Sequence, residues 1–175
     1  DDLAPLSKNI VFRHSELDFF RFGVQIGSDL FAINNTADKL TSAGATIILN
    51  CAAIPYTPEN EGQIHLLSAA QSLRLSCGYA LCNSGYGEST TDNVFAGGGI
   101  IAENGEILTS NSSFENDILI SEIDTDKMVK LRKNKAFPKR PENFTDILFW
   151  SDIKETALSY LDDYLLDRVA EFEKI

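Results

Sequence analysis

Three stretches of the chain concentrate residue types that catalysis uses. Residues 23–31 read GVQIGSDLF, residues 50–55 read NCAAIP, and residues 85–108 contain the polar block GESTTD followed by a run of three glycines. In the polar block, Glu88 and Asp92 form a carboxylate pair that could act as acid and base if both faced one bond. The other reading is that Glu88, Ser89, Thr90, Thr91 and Asp92 hold their loop by hydrogen bonds and contact a second domain or subunit. Cys51 offers a thiol, but without a basic or cationic neighbour a thiol stays protonated near neutrality and attacks poorly. It is therefore expected as a structural cysteine. Gly97, Gly98 and Gly99 do not sit between a strand and a helix, so they do not make a dinucleotide loop. A β-bulge or a close backbone approach fits them better.

Metal chemistry has little support. The chain has three cysteines, Cys51, Cys77 and Cys82, and two histidines, His14 and His65. No cysteine pair has two-residue spacing and neither histidine falls into a ligand pattern with them. No metal and no cofactor is expected. An odd set of thiols inside apolar segments fits a reducing cytoplasm.

These stretches need elements to position them. Short strands are expected at 10–12 and 19–26, the second rich in aromatic and β-branched residues. A helical segment follows Asp29 and ends near Gly44. The apolar run 45–50 is the pattern of a strand buried on both faces. A loop over 54–62 leads to a helix carrying Ile64, Leu67, Ala70, Leu73 and Leu75. Strands are expected again at 78–83, 94–101 and 107–108, with Asn104-Gly105 as a hairpin turn, and at 118–123. A charged helix starts at Asp124, residues 137–144 form a linker, and 153–172 form an acidic amphipathic helix. The alternation argues for a mixed α/β (α+β) sheet covered by helices.

The chain has 175 residues, 43% hydrophobic and 23% charged, with a net charge of −11. That supports a globular core. The negative field repels phosphate backbones, so no nucleic acid is expected as a partner. The basic run from Lys127 to Lys135 reads as a solvated helix and linker. No apolar run approaches the roughly 20 residues of a membrane span, and residues 1–5 lack the features of a signal peptide.

In this order the patches resemble the glutaminase domain of glutamine-dependent NAD synthetase, within the carbon–nitrogen hydrolase (nitrilase) superfamily. The resemblance covers residues 19–137 and rests on residues 22–31, Ala43-Gly44-Ala45, residues 50–55, Gln71-Ser72-Leu73-Arg74, residues 85–92, Phe95-Ala96-Gly97, Glu103-Asn104-Gly105 and residues 121–124. It implies a partial α-β-β-α sandwich over 1–137, with a linker and an added C-terminal helix over 138–175. In the family a cysteine attacks the glutamine amide, a glutamate is the general base and a lysine steadies the tetrahedral intermediate. The nucleophile position falls on Gly27, so no catalytic set is intact.

The neighbouring family glutamate falls on Ser28 and the earlier motif glutamate on Gln25. Pocket serines fall on Ala52 and Ile54, and a basic residue falls near Asn60. Ser28, Phe31, Ala52, Ile54 and Asn60 thus mark a degenerate substrate pocket. The family's base and lysine belong to segments preceding residue 1. Several losses together imply an inactive amidase, because removing a whole catalytic unit leaves little beyond binding. A half-sandwich would expose apolar faces, so a homo-oligomer, a synthetase domain or subunit, or the C-terminal helix is expected to cover it. Two alternatives stand beside this reading. One is a piece of a working synthetase; the other is a free-standing, non-catalytic module that binds a small amide or a protein.

Overall fold

The computed structural model describes residues 7–111, 113–115 and 117–151. The helix expected at 153–172 lies outside them. The organising strand is β3 (Ile47–Ala52), which runs parallel to β2 (Arg21–Ile26) on one side and β4 (Gly78–Asn83) on the other. Antiparallel strands extend the sheet both ways: β1 (Ile10–His14) on β2, and β5 (Gly99–Glu103) on β4. β6 (Glu106–Ser110) closes one edge and β7 (Thr145–Phe149), parallel to β1, closes the other. The order is β6-β5-β4-β3-β2-β1-β7. The β5–β6 connection is the expected hairpin, with Asn104 and Gly105 both at positive φ, as a two-residue turn of this hand requires.

Strand alternation separates two unlike faces. Gly23, Gln25, Ile48, Asn50, Ala52, Tyr79 and Leu81 point to one face and all are buried. Helices α1 (Thr36–Ser42) and α2 (Pro58–Leu75) cover it. Asn35 caps α1 through a side-chain bond from the Ala37 amide, and Thr57 caps α2 through one from the Asn60 amide. Both use the oxygen acceptor that a helix N-terminus lacks within the backbone. α1 approaches β2 so closely that a Cβ on Gly23 would lie 2.7 Å from Leu40.

The described residues cover the opposite face only in part. Leu119 and Ile123 lie against Gly99 and Gly78, and α3 (Thr125–Arg132) anchors this strap with Met128 fully buried. Lys127 pairs with the buried Glu103, which also accepts from the Asp124 amide. Arg132 donates to the carbonyls of Leu75, Ser76 and Ala45. Toward β2 and β3 the face is barer: Val24, Leu49 and Ala80 are half-buried, and Ile26, Cys51 and Cys82 are exposed.

At the β1 end, His14 is 2% exposed. Its Nδ1 accepts from the amides of Glu16 and Leu17, so Nε2 carries the proton and donates to Ser151 Oγ. The ring stacks on Phe20 and meets Phe149 edge-on.

Three expectations are corrected. Residues 118–123 pair with no strand; their alternation puts Leu119 and Ile123 onto the sheet face and leaves Ile118 and Ile120 exposed. The run 94–101 becomes a strand only at Gly99, because Gly97 and Gly98 take positive φ and break the extension. The second helix begins at Pro58, earlier than expected, because Thr57 caps it and Pro58 fits the first turn. β7, just past the expected linker, was not anticipated. The described residues thus form one mixed sheet with a helical layer on one face, an α+β arrangement. Replacing Gly23 by Ala forces Leu40 out of its place, and chemical denaturation should show a loss of about 1–3 kcal/mol.

Candidate active site

β2 delivers the first motif to a sharp turn. Ile26 ends the strand, Gly27 turns the chain at φ +62°, and a 3-10 turn (Gly27–Phe31) follows at once. Strand, strained turn and helix is the arrangement by which some hydrolases hold a nucleophile clear of the sheet. At Gly27 nothing lies within 4 Å of where a Cβ would stand. The position therefore has space for a reactive side chain and has none.

A buried polar chain fixes this turn from beneath. The Asn50 amide donates to Tyr79 Oη at 3.0 Å, and Tyr79 donates to Gln25 Oε1 at 2.8 Å. The Gln25 amide donates to Asn35 Oδ1 at 2.7 Å, and Asn35 donates to the Leu30 carbonyl. Three adjacent strands are thereby tied to the 3-10 turn and to the cap of α1. Burial pushes the Tyr79 hydroxyl well above its usual pKa, so it remains a neutral donor. Of the chain's members, Gln25 and Asn50 lie in motifs read from the sequence, while Tyr79 and Asn35 do not. The available signal for Tyr79 was a polar residue on the inward register of strand β4.

The structure divides the expected pocket. Ile54, 3% exposed, exchanges two hydrogen bonds with the Asn83 side chain, and Asn60 donates to the Pro55 carbonyl. Both line a small cavity of about 40 Å³ that His65 and Glu61 also reach. Ala52 is buried in the core cluster, while Ser28 and Phe31 are exposed on the 3-10 turn. Neither Ser28, Phe31 nor Ala52 lines that cavity. Sequence reading missed two residues of this cavity: His65, whose Nε2 is buried without a partner among the described residues, and Glu61, which accepts from Ser113 Oγ.

Cys51, expected in the core, is exposed and lines an open cleft of about 530 Å³ on the barer face. That is a correction: its register in β3 points it away from the helices. The polar loop is held by its own residues. Glu88 accepts from the Gly85 amide, Ser89 Oγ accepts from the Phe95 amide, and Thr90 Oγ1 accepts from the amides of Asp92 and Asn93. Glu88, Ser89, Thr90, Thr91 and Asp92 are all exposed. Among the described residues no group of three or more His, Cys, Asp or Glu could hold a metal ion.

Two substitutions test this arrangement. Tyr79→Phe strands the Asn50 amide and Gln25 Oε1, and urea unfolding should show a loss of about 1–3 kcal/mol. Gly27→Ala adds a Cβ at positive φ, so the same measurement should show a loss of roughly 1–2 kcal/mol despite the free space.

No protein-family model matches the chain. It is 31% identical over 118 residues to glutamine-dependent NAD(+) synthetase of Mycobacterium tuberculosis, a match covering 67% of this chain and 17% of that protein. The structure of glutamine-dependent NAD+ synthetase from Acinetobacter baumannii aligns with TM-score 0.55 and 26% identity, over 62% of this chain and 20% of the other. A carbon–nitrogen hydrolase from Helicobacter pylori aligns with TM-score 0.56 and 17% identity, over 67% of this chain and 44% of the other; at that identity it bears on the fold alone. The chain spans about a sixth of the length of the curated relatives it matches. By sequence and fold together, the chain is similar to part of glutamine-dependent NAD(+) synthetase, and its fold is nitrilase-like.

Proposed function

We propose that this chain is part of a glutaminase-type domain that has lost amidase chemistry and serves assembly within a synthetase-like protein. The observation that carries the reading is Gly27: the strand-to-helix turn is kept, and the nucleophile position has no side chain. An amide carbonyl needs a strong nucleophile beside a base, with positive charge where the oxyanion forms. Glycine supplies none of these. Ile54 and Asn60 fit the same loss, since the small cavity they line is walled mainly by committed or apolar groups, and Ser28 and Ala52 stand outside it.

The assembly role is supported by the barer sheet face, where Ile26 is 70% exposed beside Val24, Leu49 and Ala80. Sheets normally bury such a face against another layer about 10 Å away. Partners of this kind are a second copy, a synthetase domain or subunit, or further sequence of the same protein; a cytoplasmic setting fits all three.

The test is ammonia release from glutamine by the purified chain, by a coupled assay against a blank without protein. Release at the blank rate is expected. Turnover above it that disappears on heat denaturation would overturn the loss of amidase chemistry.

A further inference from the structure

Asn104-Gly105 is the one Asn-Gly pair in the chain. Such a pair is open to spontaneous rearrangement, because no side chain on the glycine shields its amide nitrogen. That nitrogen can attack the asparagine side-chain carbonyl carbon and close a five-membered imide. Structural preference and chemical liability coincide here. A two-residue turn of this hand selects Asn-Gly, and both residues take positive φ.

The fold holds that nitrogen in another direction. The Gly105 amide donates to Ser72 Oγ at 2.8 Å. Ser72 is fully buried on α2, and its own proton is directed to the Ala69 carbonyl at 2.8 Å. The hydroxyl oxygen therefore meets the turn as an acceptor, and a neutral hydroxyl is too weak a base to remove the amide proton. Ring closure requires the nitrogen to lose that proton and swing towards the Asn104 side chain. α2 lies close over the glycine: a Cβ there would stand 3.1 Å from Leu73 Cβ. On either side of the turn Glu103 and Glu106 are paired in the ladder, so the turn has no slack in which to move.

We propose that Asn104 is a modification site guarded by the Ser72 hydroxyl, converting only when α2 lifts from the turn. The reaction needs water alone. The Gly105 nitrogen loses its proton and bonds to Asn104 Cγ; the Cγ–Nδ2 bond breaks, and ammonia leaves with that proton. Water then opens the imide at either carbonyl, leaving aspartate at position 104 or its isoaspartyl isomer. The isomer routes the backbone through one extra carbon, which a two-residue turn cannot take up without losing the Glu103–Glu106 register. Either product also sets a new carboxylate next to the buried Glu103, whose charge is held by Lys127 at 2.7 Å and by the Asp124 amide. Conversion thus loosens the strap where it is fastened. This inference is independent of the amidase reading, because neither Gly27 nor the small cavity takes part.

The experiment incubates the full chain at neutral pH, folded and in urea, and reads the residue-104 peptide by mass spectrometry for aspartate and isoaspartate. Conversion in the folded parent should be slower than in urea by about tenfold or more, since it passes through the open fraction of the turn. Ser72→Ala should raise the folded rate roughly fivefold, the factor that one hydrogen bond carries. Ser68 is buried on the same helix with no hydrogen-bond partner among the described residues, so Ser68→Ala should convert as the parent does. Circular dichroism checks that each variant is folded; if Ser72→Ala is not, Ser72→Cys takes its place, because sulfur is a weak acceptor. Equal conversion in the folded and unfolded parent would overturn the proposal, as would a parent-like rate in the folded position-72 variant. So would equal acceleration by the position-68 and position-72 variants, which would assign the effect to general loosening of α2.

Discussion

The interaction on which most of this structure depends is the run of hydrogen bonds from Asn50 through Tyr79 and Gln25 to Asn35. It crosses β3, β4 and β2 beneath the helices and ends at the cap of α1. Its groups are almost wholly buried, so each must be paired inside the protein or leave an uncompensated donor or acceptor. One oxygen, Asn50 Oδ1, has no partner among the described residues. The rest of the chain is closed, and closure fixes the relative height of three strands. It also explains how the turn at Gly27 keeps its shape when no side chain there enforces it. Asn35 holds the Leu30 carbonyl from one side while its oxygen takes the Ala37 amide. The turn is therefore set by its supports.

A second constraint is the inequality of the two sheet faces. On the helical face the approach is tight enough that Gly23 and Leu40 share one volume. On the other, among the described residues, only the strap through Leu119 and Ile123 and the first turns of α3 make comparable contact. The strap is held at its end by polar clamps, Lys127 on Glu103 and Arg132 on three backbone carbonyls. Those carbonyls lie at the end of α2 and the start of β3, where a guanidinium complements the negative end of a helix. Hydrophobic contact positions the strap along the sheet; the clamps fix where it turns back.

Much of this was legible in the chain itself. The apolar run 45–50, the Asn104-Gly105 turn and the helical spacing through Leu67 and Leu75 each gave the right element, because each is governed by local chemistry. The residues that read poorly are governed by distant partners. Alternation in 118–123 is the same whether a segment pairs in a ladder or lies across a face, and only Gly78 and Gly99 decide between these. Cys51 looked internal because its neighbours are apolar, yet strand parity turns it outward. The strand reading up to Ile26 and the helical reading after Asp29 set Gly27 at a strand-to-helix turn, since that geometry needs only nearby residues. The five proposed pocket positions scatter over the helical face and the turn, because alignment to a motif specifies positions along a chain and not the volume they enclose.

The parallel pairing of β7 with β1 has a mechanical meaning. Five residue pairs, from Ile10 with Thr145 to His14 with Phe149, hold the two strands in register. Just past the last pair, Ser151 is bound to the His14 ring, which is itself locked by the amides of Glu16 and Leu17. A pull on the chain beyond residue 151, along the strand direction, loads that ladder in shear. The pairs then resist together instead of opening one at a time. The load passes through an aromatic joint into the β1–β2 turn and from there to the strand that carries Gly27. Tension applied at one end of the described chain is delivered, through β1 and β2, to the turn at Gly27.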